Sequence, residues 1–240
     1  MGYTSRVTLI TPTGGRPEAF ALCEKWMSRQ TLRPSRWIVV DDCDPPTRCT
    51  MGQWVLRPRW RWKPGMNTQA RNLMHALSCV KQHDGNFLFW EDDDYYGPGY
   101  TELMLERLWS APVIGGTHAK SYHVKERVWH VADNEQHASL SQTGFHASLL
   151  PLVSGIIQAG HKFADVEIWR ALGGMGKLFP ADPPAAACVG MKGMPGRSGI
   201  GFGHLREEGR LPWTDDRDLK VLTSWIGTAA KEYRRFGNDR

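Results

Sequence analysis

Three short apolar runs, separated by stretches of helical period, constrain this chain more than any other feature. Val7-Thr8-Leu9-Ile10, Trp37-Ile38-Val39-Val40 and Phe87-Leu88-Phe89-Trp90 have the length and the β-branched or aromatic content of buried strands. Pro17 to Gln30 spaces Phe20, Leu22, Cys23, Trp26 and Met27 for one apolar helix face. Asn67 to His83 repeats Ala70, Leu73, Met74 and Leu77 at i, i+3, i+4 and i+7, with Val80 a turn further on. Strands alternating with helices imply right-handed βαβ units and a parallel sheet. Such sheets bind ligands at the carboxyl ends of their strands. Each run here stops at a polar cluster: Thr11-Pro12-Thr13, Asp41-Asp42, and Glu91-Asp92-Asp93-Asp94. The topology therefore predicts that three clusters converge on one crevice.

The last cluster carries the most chemistry. Four adjacent carboxylates repel one another and are costly unless positive charge sits among them. In an extended segment Asp92 and Asp94 point to the same side, a spacing suited to a divalent cation. A solvated acidic turn is the alternative, and the following Tyr95-Tyr96-Gly97-Pro98-Gly99 suits one. Gly14-Gly15-Arg16-Pro17 lacks the GxGxxG spacing of a dinucleotide site, and no GxxxxGK[ST] loop follows any strand.

Composition narrows the class. Of the 240 residues 41% are hydrophobic and 23% charged, the balance of an ordinary globular protein. No stretch approaches the roughly 18 consecutive apolar residues of a membrane helix, and Met1 to Arg6 has no apolar signal-peptide region. The five cysteines form no CxxC pair, so neither a zinc site nor a disulfide framework is indicated, and a reducing cytoplasm is expected. The net charge of +5 favours a polyanionic partner. Eleven tryptophans, several set among basic residues as in Arg57-Pro58-Arg59-Trp60-Arg61-Trp62-Lys63, suit either stacking on bases or sugars or simple packing under arginine stems.

Beyond residue 110 the pattern loosens. Residues 112–116 and 129–131 read as strands, and His146 to Ile157 as a buried apolar segment. Asp165 and Glu167 open a short helix, where a carboxylate is stabilised. The glycine-rich stretch 190–204 reads as a flexible lid loop, and Asp215 to Phe236 as one basic amphipathic helix. The expected organisation is a single domain with a donor half over 1–110, an acceptor and catalytic half over 111–214, and a C-terminal helix over 215–240.

With the elements placed, the N-terminal part resembles nucleotide-sugar glycosyltransferases of the GT-A fold, family-2 type. Val7 to Thr13 followed by Arg16-Pro17 resembles the family's opening strand and Pro-Thr turn. Gln30-Thr31 with Trp37 to Asp42 resembles its second strand and the aspartates near the nucleobase. Ala70-Arg71-Asn72 and Phe87 to Asp94 resemble its Ala-Arg-Asn and DxD motifs. The likeness covers roughly residues 7–105. It implies an α/β fold with a GT-A-like, Rossmann-related mixed sheet flanked by helices. The Gln-x-x-Arg-Trp motif of processive members is missing, which argues against a polysaccharide synthase.

The resemblance also implies roles. Asp92 and Asp94, with His204, are the expected ligands of Mn²⁺ or Mg²⁺, and Asp93 is left to the ribose or donor sugar. Thr11, Pro12, Thr13, Arg16, Asp41, Asp42 and Arg71 are expected around a nucleoside diphosphate sugar, a UDP-sugar being favoured. Lys63 is a further candidate for the diphosphate. Asp165 is the expected general base, with Glu167 as its rival; one displacement inverts the anomeric centre. Capping of the helix start is the alternative role for Asp165. The acceptor stays open between a hydroxymethylated base in DNA, flipped from its stack, and a glycan, lipid, protein or small molecule. In the DNA case the strip at 57–63 and the C-terminal helix would hold the backbone. Two other classes compete: a sugar-1-phosphate nucleotidylyltransferase, for which Gly14-Gly15-Arg16 is too short, and a non-catalytic nucleic-acid-binding protein.

Overall fold

Eleven residues of one strand-and-turn, Val7 through the loop to Pro17, show how the chain starts, and the rest follows from the same alternation. The computed structural model describes residues 6–61, 63, 66–159, 163–180, 182–199 and 212–237. The first half runs β1 (Val7–Thr13), α1 (Pro17–Ser28), β2 (Arg36–Asp41), β3 (Trp54–Leu56), α2 (Gln69–Ser78), β4 (Asn86–Phe89), β5 (Tyr95–Tyr96) and α3 (Tyr100–Arg107). The second runs β6 (Val113–Gly116), β7 (His118–His123), β8 (Val128–Asp133), β9 (Gly144–Phe145), α4 (Leu150–Gln158), α5 (Ala164–Leu172), β10 (Gly176–Phe179), β11 (Cys188–Lys192), β12 (Thr214–Asp215), α6 (Lys220–Ile226) and α7 (Ala230–Arg234).

Seven strands form one sheet in the order β10-β6-β9-β4-β1-β2-β3, and five form a second in the order β12-β8-β7-β11-β5. In the first sheet β4, β1, β2 and β3 are parallel. The short β9 lies antiparallel between β4 and β6, so the sheet is mixed. β1 runs on through Thr11-Pro12-Thr13, where the sequence suggests a turn. It pairs with β4 only as far as Ile10, so Pro12 sits where β1 has a single neighbour, β2, and its missing N–H is tolerated.

Period-two alternation divides the core between the two faces of the large sheet. Leu9, Val39 and Leu88 pack with Phe20 and Trp26 of α1 and Met104 of α3. Ile10, Ile38, Val40, Phe87 and Phe89 pack with Leu73 and Leu77 of α2, Val153 of α4 and Ile168 of α5. Each such large side chain contributes about 1.5–3 kcal/mol on burial, so a one-residue register slip in any of these strands is excluded energetically.

Two expected elements differ. The segment 215–236 is not one helix. The Asp216 carboxylate accepts from the Val221 and Leu222 N–H groups at 2.9 and 3.0 Å, which starts α6 at Lys220. Gly227, at φ +58°, ends it before α7. In the expected lid 190–204, Gly190 to Lys192 pair with β7 as part of β11. The chain after Gly193 is pinned on the first turn, with the Arg197 N–H donating to the Gly15 carbonyl at 3.0 Å. Residues 200–204 lie outside the described residues. All five cysteines are free thiols, and no described helix is long and apolar enough to cross a membrane.

Candidate active site

The carboxyl ends of β1 and β4 meet the second sheet across a cavity of about 470 Å³. Pro12, Arg16, Thr68, Glu91, Asp92 and Asp93 line it from the first half of the chain, and Asp165 lines it from the second. Convergence at the strand ends is as the topology predicts, but the acidic run is arranged differently from the sequence expectation. Residues 92–94 bend rather than extend, and the Glu91 N–H donates to the Tyr96 hydroxyl at 2.8 Å within that bend. Alternation therefore fails. Asp92 and Asp93 face the cavity, while Asp94 turns toward β11 and accepts from the Met191 N–H at 3.0 Å. Asp92 and Asp94 do not share a side. Among the described residues no three His, Cys, Asp or Glu side chains are grouped as metal ligands, and His204 lies outside the described residues.

The positive charge that such a run requires comes from the chain itself. Arg16 pairs with Asp92 at 3.1 Å and also with Asp93, while its Nε donates to the Arg197 carbonyl at 2.6 Å. Thr13 donates to Asp92 at 2.7 Å. Lys192 Nζ lies 3.8 Å from Asp94, both largely buried. Burial pushes the Glu91 carboxyl up to about 8, with Asp94 adding to the effect; Gln69 donates to it at 2.9 Å. Burial also pushes Asp92 up to about 6 against the pull of Arg16, and raises Asp94 against that of Lys192. The sequence pattern leaves Glu91 outside the expected ligand set and carries no signal for Lys192 or Arg197, which lie about a hundred residues later.

Several expected donor residues serve the scaffold. Asp41, fully buried, accepts from the Cys43 N–H (3.1 Å), the Thr47 N–H (2.8 Å), the Thr47 hydroxyl (3.1 Å) and Arg57 (2.5 Å), fixing the loop after β2. Asp42 accepts from Thr68, Asn72 (2.9 Å) and Arg197 (2.7 Å), tying α2 and the segment after β11 together. Thr11 is buried and accepts from the Trp37 indole at 2.9 Å. Arg71 is exposed on α2 and does not line the cavity. Three described residues of the basic aromatic strip engage their own chain. Arg57 holds Asp41, Trp60 donates to Asn72 at 2.8 Å, and Arg61 donates to the Trp60 carbonyl at 3.0 Å.

Across the cavity, α5 begins at Ala164, which sets Asp165 in its first turn facing inward. Burial raises the Asp165 carboxyl above its ordinary value. Glu167 is taken up by Arg170 at 2.6 Å, outside the cavity. Of the histidines, His130 and His137 line the cavity. His118 pairs with Asp133 at 2.8 Å, and His123 lies beneath Gly193.

The fold is similar to that of S. aureus TarS. TarS residues 1–349 in complex with UDP-GlcNAc match at TM-score 0.54 and 13% identity, over 81% of this chain and 59% of that one. The complex with UDP matches at TM-score 0.51 and 12% identity, over 78% and 60%. A further TarS structure matches at 0.52 and 14%, over 78% and 36%. The chain thus spans between 36 and 60% of the length of the TarS chains it matches. No protein-family model matches it, and no curated protein sequence matches it. At this identity the likeness shows the fold, a GT-A-like mixed α/β architecture.

Proposed function

We propose that this protein is a glycosyltransferase that moves a sugar from a nucleoside diphosphate donor to an acceptor hydroxyl with inversion. One observation carries the reading: one cavity at the strand ends is lined by a charged cluster of Arg16, Lys192, Asp92 and Asp93 and by a half-buried carboxylate, Asp165. A protein of this fold has been crystallised with UDP-GlcNAc and with UDP.

The chemistry follows from charge. Breaking the bond between the anomeric carbon and the phosphate oxygen sends an electron pair to the leaving diphosphate. Arg16, Lys192 and Arg197 line the cavity where that charge develops. Desolvation gives Asp165 a raised proton affinity, suited to taking the acceptor hydroxyl proton as the oxygen attacks. One in-line displacement inverts the anomeric centre.

A divalent cation fits the donor types on the charged wall. The Asp92 and Asp93 carboxylates converge on one positive group, the Arg16 guanidinium, and hard oxygen ligands suit Mn²⁺ or Mg²⁺. When bound, such an ion neutralises charge on the departing diphosphate. Asp92 and Asp93 would hold it, and Asp94 would not. Calorimetric titration with UDP-sugars in Mn²⁺ or Mg²⁺ tests the reading, together with Asp165→Asn. Donor binding should survive that change and transfer should stop. Normal turnover in Asp165→Asn removes the base, and no affinity for any nucleotide sugar removes the reading.

A further inference from the structure

One nitrogen of Arg16 stands where the Asp92 and Asp93 carboxylates converge. The same terminal guanidinium nitrogen donates to Asp92 Oδ1 at 3.1 Å and to Asp93 Oδ2. The second oxygen of Asp92 accepts from the Thr13 hydroxyl at 2.7 Å, which keeps Oδ1 turned toward the arginine. These two oxygens are the hard ligands that a divalent cation would use. Like charges at contact distance repel strongly in a site so little exposed. Occupation of the pair is therefore exclusive: the guanidinium holds it, or a cation does.

The surroundings let the side chain move while its backbone stays. Arg16 sits at the turn between β1 and α1, and the segment after β11 pins that turn from above. The Arg197 N–H donates to the Gly15 carbonyl at 3.0 Å, and Arg197 is tied in turn to Asp42 at 2.7 Å. Gly196 lies so close that a Cβ there would come within 3.1 Å of the Arg16 Cα. The side chain, in contrast, lines the cavity and has that space to turn into.

Leaving the carboxylates is not free of cost. The fork gives up its charge-assisted bonds to Asp92 and Asp93, and its Nε gives up the Arg197 carbonyl at 2.6 Å. That cost lowers the apparent affinity of the pair for a cation alone. A diphosphate in the cavity offsets it, because its oxygens match the planar fork of an arginine.

We propose that Arg16 is a built-in counter-ion that gives way to a divalent cation at Asp92 and Asp93, its freed guanidinium then taking the diphosphate of the donor. The proposal rests on the transferase reading and adds an exchange to it. Arg16 opposes the cation when the nucleotide is absent and supports the nucleotide when the cation is present.

Calorimetry at pH 8 separates the two roles, first with Mn²⁺ alone and then with UDP at saturating Mn²⁺. Arg16→Met should bind Mn²⁺ alone about tenfold more tightly, and UDP in Mn²⁺ about tenfold more weakly. Opposite signs are the signature, since an arginine that only supports the fold moves both affinities the same way or neither. Lys192→Met removes one positive charge from the same cluster but frees no oxygen of Asp92 or Asp93, because its Nζ faces Asp94 at 3.8 Å. It should tighten Mn²⁺ binding far less. Arg16→Gln, neutral but still able to donate to a carboxylate, is the second variant should methionine prevent folding, and the same two signs are expected. Circular dichroism establishes which variants are folded. Mn²⁺ affinity unmoved or weakened in a folded Arg16 variant overturns the proposal and leaves the transferase reading intact. So does equal tightening in Lys192→Met, or UDP affinity unchanged on loss of Arg16. A wild-type protein that binds no nucleotide or nucleotide sugar in Mn²⁺ overturns the transferase reading, and this inference with it.

Discussion

Replacing Arg16 by methionine should destabilise the protein more at pH 8 than at pH 5. The Arg16 side chain is 12% exposed, and those of Asp92 and Asp93 are 7 and 6% exposed, so solvent screens the pairs little. Removing one partner of such a buried cluster costs about 3–5 kcal/mol, because the other charges stay behind uncompensated. In a chain of this length that corresponds to a fall in Tm of roughly 10 °C. The pH dependence follows from the sign of the linkage. Asp92 is already pushed up to about 6 by burial, against the pull of Arg16, and losing Arg16 raises it further. A carboxyl raised in the folded state binds protons that the unfolded chain does not hold, so stability falls as pH rises between the two values. At pH 5 Asp92 is protonated in the variant and needs no cation. The remaining deficit, from the lost Asp93 pair and the bond to the Arg197 carbonyl, is about 2 kcal/mol. Urea unfolding of both proteins at pH 5 and pH 8, in EDTA, measures the difference. Equal destabilisation at the two pH values would refute the electrostatic argument and reduce Arg16 to a packing residue.

Other outcomes follow from the same geometry. Asp94→Ala should lower stability by about 3 kcal/mol, since it strips the buried Lys192 and the Met191 N–H of their partner; Asp93→Ala should instead weaken Mn²⁺ binding in calorimetry, at smaller cost to unfolding. Gly196→Ala should destabilise by about 2 kcal/mol or more, because φ is +100° and the new Cβ would lie 2.2 Å from the Gly15 carbonyl oxygen; a denaturation midpoint unchanged from wild type would contradict this. The acid limb of kcat/KM should lie above the ordinary aspartate range, because burial raises Asp165 and activity is lost as pH falls through that value. Glu167→Gln, outside the cavity, should leave that limb where it is.

The first half of the fold was legible because its strands are extended and its helices amphipathic, so period alone located β1, β2, β4, α1 and α2 to within a few residues. The second half was less so: β9 and β12 are two residues each, too short for any period, and β7 carries His118 and Lys120 where alternation needs apolar residues. The acidic run shows the limit most clearly. Its position at a strand end was readable and its orientation was not, because a bend breaks the alternation that assigned Asp92 and Asp94 to one side. Its counter-charges were unreadable for a different reason. Arg16 lies 76 residues before Asp92, Lys192 about a hundred residues after the run, and Arg197 155 residues beyond the Asp42 that it holds.

That distance changes how the two halves relate. Residues 1–110 supply the carboxylates, but Lys192 and Arg197, which balance Asp94 and Asp42, come from β11 and the segment after it in the second half. The Gly193–Ser198 segment lies against Gly15, close enough that a Cβ at Gly196 would strike its carbonyl. The two halves of the chain are therefore joined through a shared set of buried charges. The acidic cluster at the end of β4 is also a joint that holds β11 and the segment after it to the first half of the chain, and a change at either partner should be felt in both.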